Sequence, residues 1–293
     1  MSTLKKILFI INPISGVGKK NTIPPLIGDY LPTNQFSWDI RYTEKRKHGA
    51  EIAFAEKGNY DAIVAVGGDG SVNEIGSALI HEDCALGIIP CGSGNGLARH
   101  LHIPLKVVGA LQRIATFEPF SIDTGLVNDQ PFLGTCGFGF DAHVANKFDS
   151  FGKRGFLSYA RLVIREYNRY ELPTFQISGS DVDIKKEAVM CSIANSSQFG
   201  NGFTISPNSD IQDGIFELVL LDRFGWVKAP AISRKFFSKS IQTSKYFSSV
   251  AFKEDLEITI HNSEHVNYHI DGEPLQGNGK FKITIRPKSL TIL

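Results

Sequence analysis

The chain has 293 residues, of which 42% are hydrophobic and 21% charged, values of an ordinary globular protein that exclude disordered, collagen-like and coiled-coil classes. Lys plus Arg exceed Asp plus Glu by 31 to 30, a net charge of +1, so no global field recruits nucleic acid and none is expected as a partner. At roughly 150 residues per domain, the length implies two domains or one large α/β unit.

In chain order, residues 7–11, 36–42, 62–66 and 85–89 read as short buried strands, and the segments 19–30, 48–57 and 72–80 between them have helical spacing. That alternation is the pattern of βαβ units around a parallel sheet, and Gly58 is placed to end a helix in the left-handed conformation. Asn12-Pro13 stops the first apolar run too early for a signal peptide, and nothing approaches the ~18 uninterrupted apolar residues of a membrane span.

After Phe120 the pattern changes to strands joined by turn residues: 121–128, a turn at 128–130, 131–136, then 175–178, 188–194, 215–221 and 256–260. Helical patterns interrupt it at 156–170 and 226–240. The expected architecture is therefore an N-terminal α/β domain over 1–120 and a mainly antiparallel β domain over 121–284, with room for the last strand, 285–293, to pack back on the first domain. Cys84, Cys91, Cys136 and Cys191 form no CxxC pair and read as reduced thiols of a cytosolic protein.

Three glycine-rich loops follow predicted strands. Gly67-Gly68-Asp69-Gly70-Ser71-Val72-Asn73-Glu74 joins a strand to a helix, where successive amides and the helix N-terminus suit phosphate. The same residues also read as a capped turn, with Ser71 as N-cap and Glu74 at capping-box spacing. A carboxylate such as Asp69 is unfavourable beside a polyphosphate unless Mg²⁺ or a transferable proton lies between them. Gly92-Ser93-Gly94-Asn95-Gly96 forms the second loop and Asn12 to Lys19 the third. The third fails as a Walker A loop, because Pro13 stands where the first glycine belongs, and neither run completes GxGxxG. Loops at the carboxyl ends of neighbouring parallel strands share one crevice, so they face a common ligand.

In order and spacing, Asn12-Pro13 with Ser15-Gly16, then Gly67 to Ser71 with Asn73-Glu74, then Gly92 to Asn95, and finally Asp271-Gly272-Glu273 resemble the diacylglycerol kinase catalytic family, which includes bacterial lipid kinases and sphingosine kinases. The resemblance covers essentially the whole chain and includes 137–142. It implies an NAD kinase/phosphofructokinase-like three-layer α/β domain followed by a β-sandwich, with nucleotide bound in the interdomain cleft. It further implies that Asn12, Pro13, Ser15, Gly16, Thr43, Gly67, Gly68, Asp69, Gly70, Ser71, Asn73, Gly92, Ser93 and Asn95 contact ATP. A structural Mg²⁺ would map onto Asp210, Asp213 and the carbonyl of Ile215, although some relatives carry Lys at the first of these positions. Gly96 stands where many bacterial members have Asp, so an acidic member of their network is missing, and sphingosine-kinase-like members are the closer analogues.

Transfer of a phosphoryl group to an alcohol needs an in-line hydroxyl, charge neutralisation and a carboxylate to take the proton. Read alone, Asp271-Gly272-Glu273-Pro274 is a surface turn. The resemblance makes it the proton acceptor and leaves the choice between Asp271 and Glu273 open, with Asp69 as the alternative base or the organiser of the Mg²⁺ ligands. It places the acceptor lipid in the second domain, near Asp141. From Arg223 to Lys253 there is no acidic residue, and seven cations interleave with seven aromatic residues, a composition suited to an anionic lipid surface or to a solvated core helix. Lys153, Arg154, Arg161, Arg165 and Arg169 form a second basic set. His261, His265 and His269 are spaced by four, but a turn at 262–264 breaks any shared helical face, so no metal site is read there.

The expected activity is ATP- and Mg²⁺-dependent phosphorylation of the primary hydroxyl of a membrane lipid, diacylglycerol or a sphingoid base, by a cytoplasmic protein at the inner face of the membrane. The alternatives are an NAD-kinase-like phosphotransferase and a catalytically silent nucleotide- or lipid-binding regulator. Whether the chain forms a homodimer is left open.

Overall fold

The computed structural model describes residues 4–14, 22–150, 156–261 and 265–293, and divides into two compact units. Unit 1 comprises 1–124, Gly200–Gly202 and Arg286–Leu293; unit 2 comprises Gly125–Phe199 and Phe203–Ile285. The first boundary falls at Thr124 rather than at 120.

Unit 1 alternates β1 (Lys5–Ile11), α1 (Ile23–Tyr30), β2 (Phe36–Tyr42), α2 (His48–Glu56), β3 (Ala62–Gly67), α3 (Asp69–Ala78), β4 (Ala85–Pro90), α4 (Gly96–His100) and α5 (Val107–Thr116), and closes with β5 (Phe120–Val127). The strand order is β2-β1-β3-β4, all parallel. Every residue of β3 and β4 is buried, as a parallel sheet covered on both faces requires. Helix α2 packs on α3, and α1 on α5. The carboxyl-terminal segment lies beside β4, pairing Ile292 with Leu86.

Several local expectations are corrected. Residues 19–21 of the first expected helix lie outside the described residues, and α1 starts at Ile23, with prolines at its first positions, where no N–H partner is needed. Gly58 does not end α2 in the left-handed region. The helix closes at Lys57 with right-handed backbone, and the turn is completed by the Asn59 amide donating to the Glu56 carbonyl at 2.8 Å. Helix α3 begins at Asp69, not 72, with Gly68 as N-cap, so Ser71 caps nothing. Glu74 instead accepts the Lys47 N–H at 2.9 Å.

Unit 2 contains β6 (Gln130–Phe132), β7 (Thr135–Gly139), α6 (Phe140–Ser150), α7 (Phe156–Tyr167), β8 (Thr174–Ser178), β9 (Asp183–Glu187), β10 (Met190–Ala194), β11 (Gln198–Gly200), β12 (Phe203–Thr204), β13 (Phe216–Leu221), α8 (Ala229–Phe237), β14 (Phe247–Phe252), β15 (Leu256–His261), β16 (Val266–Ile270), β17 (Glu273–Gly277) and β18 (Lys280–Ile292), the last of which runs on into unit 1. One antiparallel sheet has the order β14-β13-β10-β7-β16-β17. The other is built from the start of β18 with β15, β8 and β9, where burial alternates along each strand. Their inner faces share one core that includes Phe132, Phe138, Phe175, Phe216 and Phe281. The family's α/β domain followed by a sandwich is what the chain forms. The expected strand 131–136 is split, because the amides of 133–135 bind a side chain instead of a ladder partner. The expected helix 226–240 is a 3-10 turn over Trp226–Lys228 and then α8, which starts at Ala229 with a proline at its first turn.

Candidate functional site

The parallel register brings the carboxyl ends of the unit 1 strands level: Ile11 pairs with Tyr42 and Val66, and Gly67 with Pro90. The loops leaving those strands therefore emerge along one edge. Asn12 and Thr43 sit there as the first residues past β1 and β2; the Asn12 amide donates to the Val66 carbonyl at 3.1 Å and the Thr43 amide to Ile11 at 2.9 Å. The Asn12 side chain does two jobs, donating from Nδ2 to Ser71 Oγ at 3.1 Å and accepting the Ile14 N–H at 3.0 Å, which turns the chain at Pro13. Ser15 and Gly16 lie outside the described residues.

Between the other two loops, backbone meets backbone. A Cβ on Gly92 would lie 2.6 Å from the Gly68 Cα, so only glycine permits this approach. Gly68 is also where the chain turns into α3, and Gly70, Ser71 and Asn73 follow in its first turns. The result is two closely packed glycine turns at the N-terminus of a ten-residue helix, a backbone arrangement suited to phosphate oxygens.

Asp69 faces the second loop. Its Oδ2 accepts the Asn95 amide at 2.8 Å and its Oδ1 the Gly96 amide at 2.7 Å. Asn95, left-handed at φ 52, clips the loop by pairing its own amide group with the N–H and carbonyl of Gly92 at 3.0 and 2.8 Å. Ser93 is exposed at the tip. The position where relatives carry an extra acid thus contributes a main-chain N–H, and the aspartate acts as organiser of the loop.

Two contributors were missed by sequence reasoning. Arg99 Nε donates to the Gly94 carbonyl at 2.9 Å, and the Asn201 amide donates to the same oxygen at 3.1 Å. Gly200, at φ +117, passes so close that a Cβ there would sit 2.9 Å from the Gly94 Cα. The only sequence signal was the pair Gly200 and Gly202, more than a hundred residues from the loop that it supports.

In unit 2, Asp271 and Gly272 form the two-residue link between β16 and β17, with φ 47 and 85, the turn type that an Asp-Gly pair favours. The Asp271 carboxylate is held by three amides: Oδ1 accepts from Gly134 and Thr135 at 2.8 and 2.9 Å, and Oδ2 from Leu133 at 2.9 Å. Its orientation is fixed by these bonds. Glu273 starts β17, half-buried. Asp141 opens α6 and is also engaged: Oδ1 accepts the Ala142 amide at 2.8 Å, and Oδ2 lies 3.1 Å from His269 Nε2. The Gly272 amide lies 3.4 Å from His269 Nδ1, so Nε2 carries the proton that Asp141 receives. A Cβ on Gly137 would collide with both partners.

Asp210 and Asp213 lie on an exposed loop, each folded onto backbone two residues ahead: Asp210 on the Gln212 amide at 3.0 Å and Asp213 on the Ile215 amide at 2.8 Å. Among the described residues, no group of three or more His, Cys, Asp or Glu is arranged to hold a metal ion. For Mg²⁺ accompanying a nucleotide, Asp69, beside the two described glycine loops, is the candidate carboxylate, a donor set that fits an ion held chiefly by phosphate oxygens and water. His261, on β15, lies beside Gln176 and takes no part in a histidine cluster with His269.

Two family models cover nearly the whole chain: the diacylglycerol kinase catalytic domain over residues 6–127 and the YegS C-terminal NAD kinase beta sandwich-like domain over 134–293. The chain is 29% identical over 237 residues to a "Probable lipid kinase YegS-like" of Yersinia enterocolitica, an alignment spanning 78% of this chain and 77% of the relative, and 28% identical over 235 residues to a protein of the same description from Yersinia pestis. A crystal structure of a diacylglycerol kinase from Bacillus anthracis superposes with a TM-score of 0.76 at 19% identity, covering 100% of this chain and 97% of that one. A further structure from that organism gives 0.79 at 21%. With a diacylglycerol kinase catalytic domain followed by the YegS C-terminal sandwich domain, the latter over more than half of its length, the chain is a kinase of the diacylglycerol kinase/YegS family.

Proposed function

We propose that this protein transfers the γ-phosphoryl group of ATP to the primary hydroxyl of a membrane lipid, with diacylglycerol and sphingoid bases as the leading acceptors. The observation that carries the reading is the Gly68–Gly92 approach at the start of α3, two glycine turns packed at a helix N-terminus, where backbone N–H groups suit a triphosphate. Asn12 and Ser71 brace one side of these turns, and Asp69, through Asn95 and Gly96, braces the other. Bound Mg²⁺ would spread the charge of the β- and γ-phosphates, with Asp69 as its protein ligand.

The carboxylate that takes the proton from the acceptor hydroxyl is assigned to the Asp271–Gly272–Glu273 turn. Asp271 is the preferred group because three amides hold its carboxylate still. Preorganisation of this kind avoids reorientation at the moment of transfer. The hydroxyl proton passes to that carboxylate as the oxygen bonds to phosphorus and the bond to the ADP oxygen breaks. Asp141, tied to His269, orients the start of α6 on the same strand system.

Radiolabelled ATP offered with diacylglycerol, sphingosine, ceramide and NAD tests the reading. Label in diacylglycerol or sphingosine is the expected result; label in NAD alone, or in nothing, overturns it. Asp271→Asn should lower turnover by at least about a hundredfold, within the 10²–10⁴ that general base catalysis supplies. Full activity in both Asp271→Asn and Glu273→Gln would remove the assigned base.

A further inference from the structure

The 3-10 turn Trp226–Lys228 and α8 expose apolar side chains within a stretch, 223–253, that carries no acidic residue. Val227 is 91% exposed and Phe237 49%, and Ile164, on α7, is 57% exposed. Val227 stands at the tip of its turn, whereas Trp226 beside it is anchored: its ring packs edge-on against Tyr167 at 5.1 Å, and its indole N–H donates to Asn168. The Arg223 guanidinium donates to the carbonyls of Tyr167 and Tyr170. These contacts join the end of α7 to the turn and hence to α8. Ile232 and Phe236 point into the core, which leaves Arg234, Phe237, Lys239 and the preceding Lys228 on the outside. No acidic residue occurs between 223 and 253, so nothing on this segment neutralises the exposed cations.

We propose that this face, built from Ile164, Val227, Lys228, Arg234, Phe237 and Lys239, docks the protein on an anionic lipid bilayer. The proposal rests on the lipid-kinase reading, since it supplies the surface from which such an acceptor would be taken. Single apolar tips flanked by cations match a headgroup layer, where the tips reach the acyl boundary and the cations meet lipid phosphates. A protein partner would instead require a contiguous apolar patch, and these tips are isolated from one another in sequence and flanked by charge.

The test is flotation of the whole protein with vesicles of phosphatidylcholine alone or with one-third phosphatidylglycerol. Binding to the anionic vesicles, weakened by added salt, is expected. Lys228→Gln, Arg234→Gln and Lys239→Gln should each lower the partition coefficient about fivefold and, combined, about a hundredfold, as neutralising cations near a charged surface does. Val227→Asp, at a side chain open to solvent and so harmless to folding, should lower it by at least about tenfold. Lys106→Gln, on unit 1, makes the same charge change and should leave it unchanged. Phosphorylation of a short-chain acceptor dissolved in detergent should be the same in all variants. Wild-type binding that ignores lipid charge, or variants that float like wild type, would overturn the face, whatever the acceptor proves to be. Vesicle binding that follows the face without phosphorylation of any lipid would leave the face standing and overturn only the kinase reading.

Discussion

Gly200→Ala is the most direct test of how the second glycine loop is held. A methyl group at residue 200 would meet the Gly94 Cα at 2.9 Å and its carbonyl carbon at 3.2 Å, and it would do so from a backbone at φ +117. Both opposing atoms are main chain, so no side chain can swing away. Backbone strain of this kind costs ~1–3 kcal/mol, and overpacking against an unyielding neighbour a further ~1–3 kcal/mol. Gly202 provides the internal control: its φ is +79, but a methyl there meets nothing within 4 Å. Gly202→Ala therefore carries only the first cost, and the difference between the variants isolates the contact. At ~2–4 °C per kcal/mol, Gly200→Ala should melt about 2–12 °C below Gly202→Ala. It should also weaken binding of a nonhydrolysable ATP analogue by about tenfold or more, because the Gly94 carbonyl that it displaces is the anchor for Arg99 and Asn201. Thermal denaturation and analogue titration read the two effects. If Gly202→Ala is as damaging as Gly200→Ala, or if Gly200→Ala stays folded with native nucleotide affinity, the strap does not position the loop.

Burial pushes the thiols of Cys136 and Cys191 well above their ordinary range and that of Cys84 up to about 12, whereas Cys91, in the second glycine loop, is only half-buried. At neutral pH an alkylating reagent should therefore modify Cys91 first, and ATP should slow that reaction; mass spectrometry of the labelled peptides checks both points. The Glu166 carboxyl, bonded to Lys147 at 2.5 Å and then to His143 and Arg165, is held down to about 2. A carboxyl depressed in the folded state binds its proton more readily when unfolded, so its contribution is complete above about pH 4.5 and is lost as pH falls from there toward 2. Glu166→Gln should accordingly flatten the fall of melting temperature across that window, and an unchanged slope would refute the pairing. Gly137→Ala would drive a methyl group into Asp141 and His269 and should destabilise the fold by ~1–3 kcal/mol in urea denaturation.

The sequence by itself determined the two-part architecture, the strands of the parallel sheet and the two described glycine loops that gather at its carboxyl edge. These depend on local signals: period-two and continuous apolar runs, and glycines at strand-to-helix junctions, each read within a dozen residues. Local reading failed where a neighbour in space chose the conformation. Ser71 and Glu74 have capping-box spacing, yet α3 starts at Asp69, because the chain has already turned at Gly68 against Gly92 and the Asp69 carboxylate is bound by amides of another loop. Residues 131–136 carry a strand pattern, yet three of their amides belong to a carboxylate 136 to 138 residues away.

Only the tertiary structure showed that Asp141 is paired with His269, 128 residues distant, and that Gly200 and Asn201 lie against Gly94. Such contacts leave no periodicity in the chain, since a hydrogen bond between distant residues constrains two positions and nothing between them. The motif Asp271-Gly272-Glu273 illustrates the division. Its turn was legible in the Asp-Gly pair, while the fixed aim of the Asp271 carboxylate comes from amides that the β6–β7 link brings to it. Local preference writes the elements, and long-range packing decides which polar groups face one another.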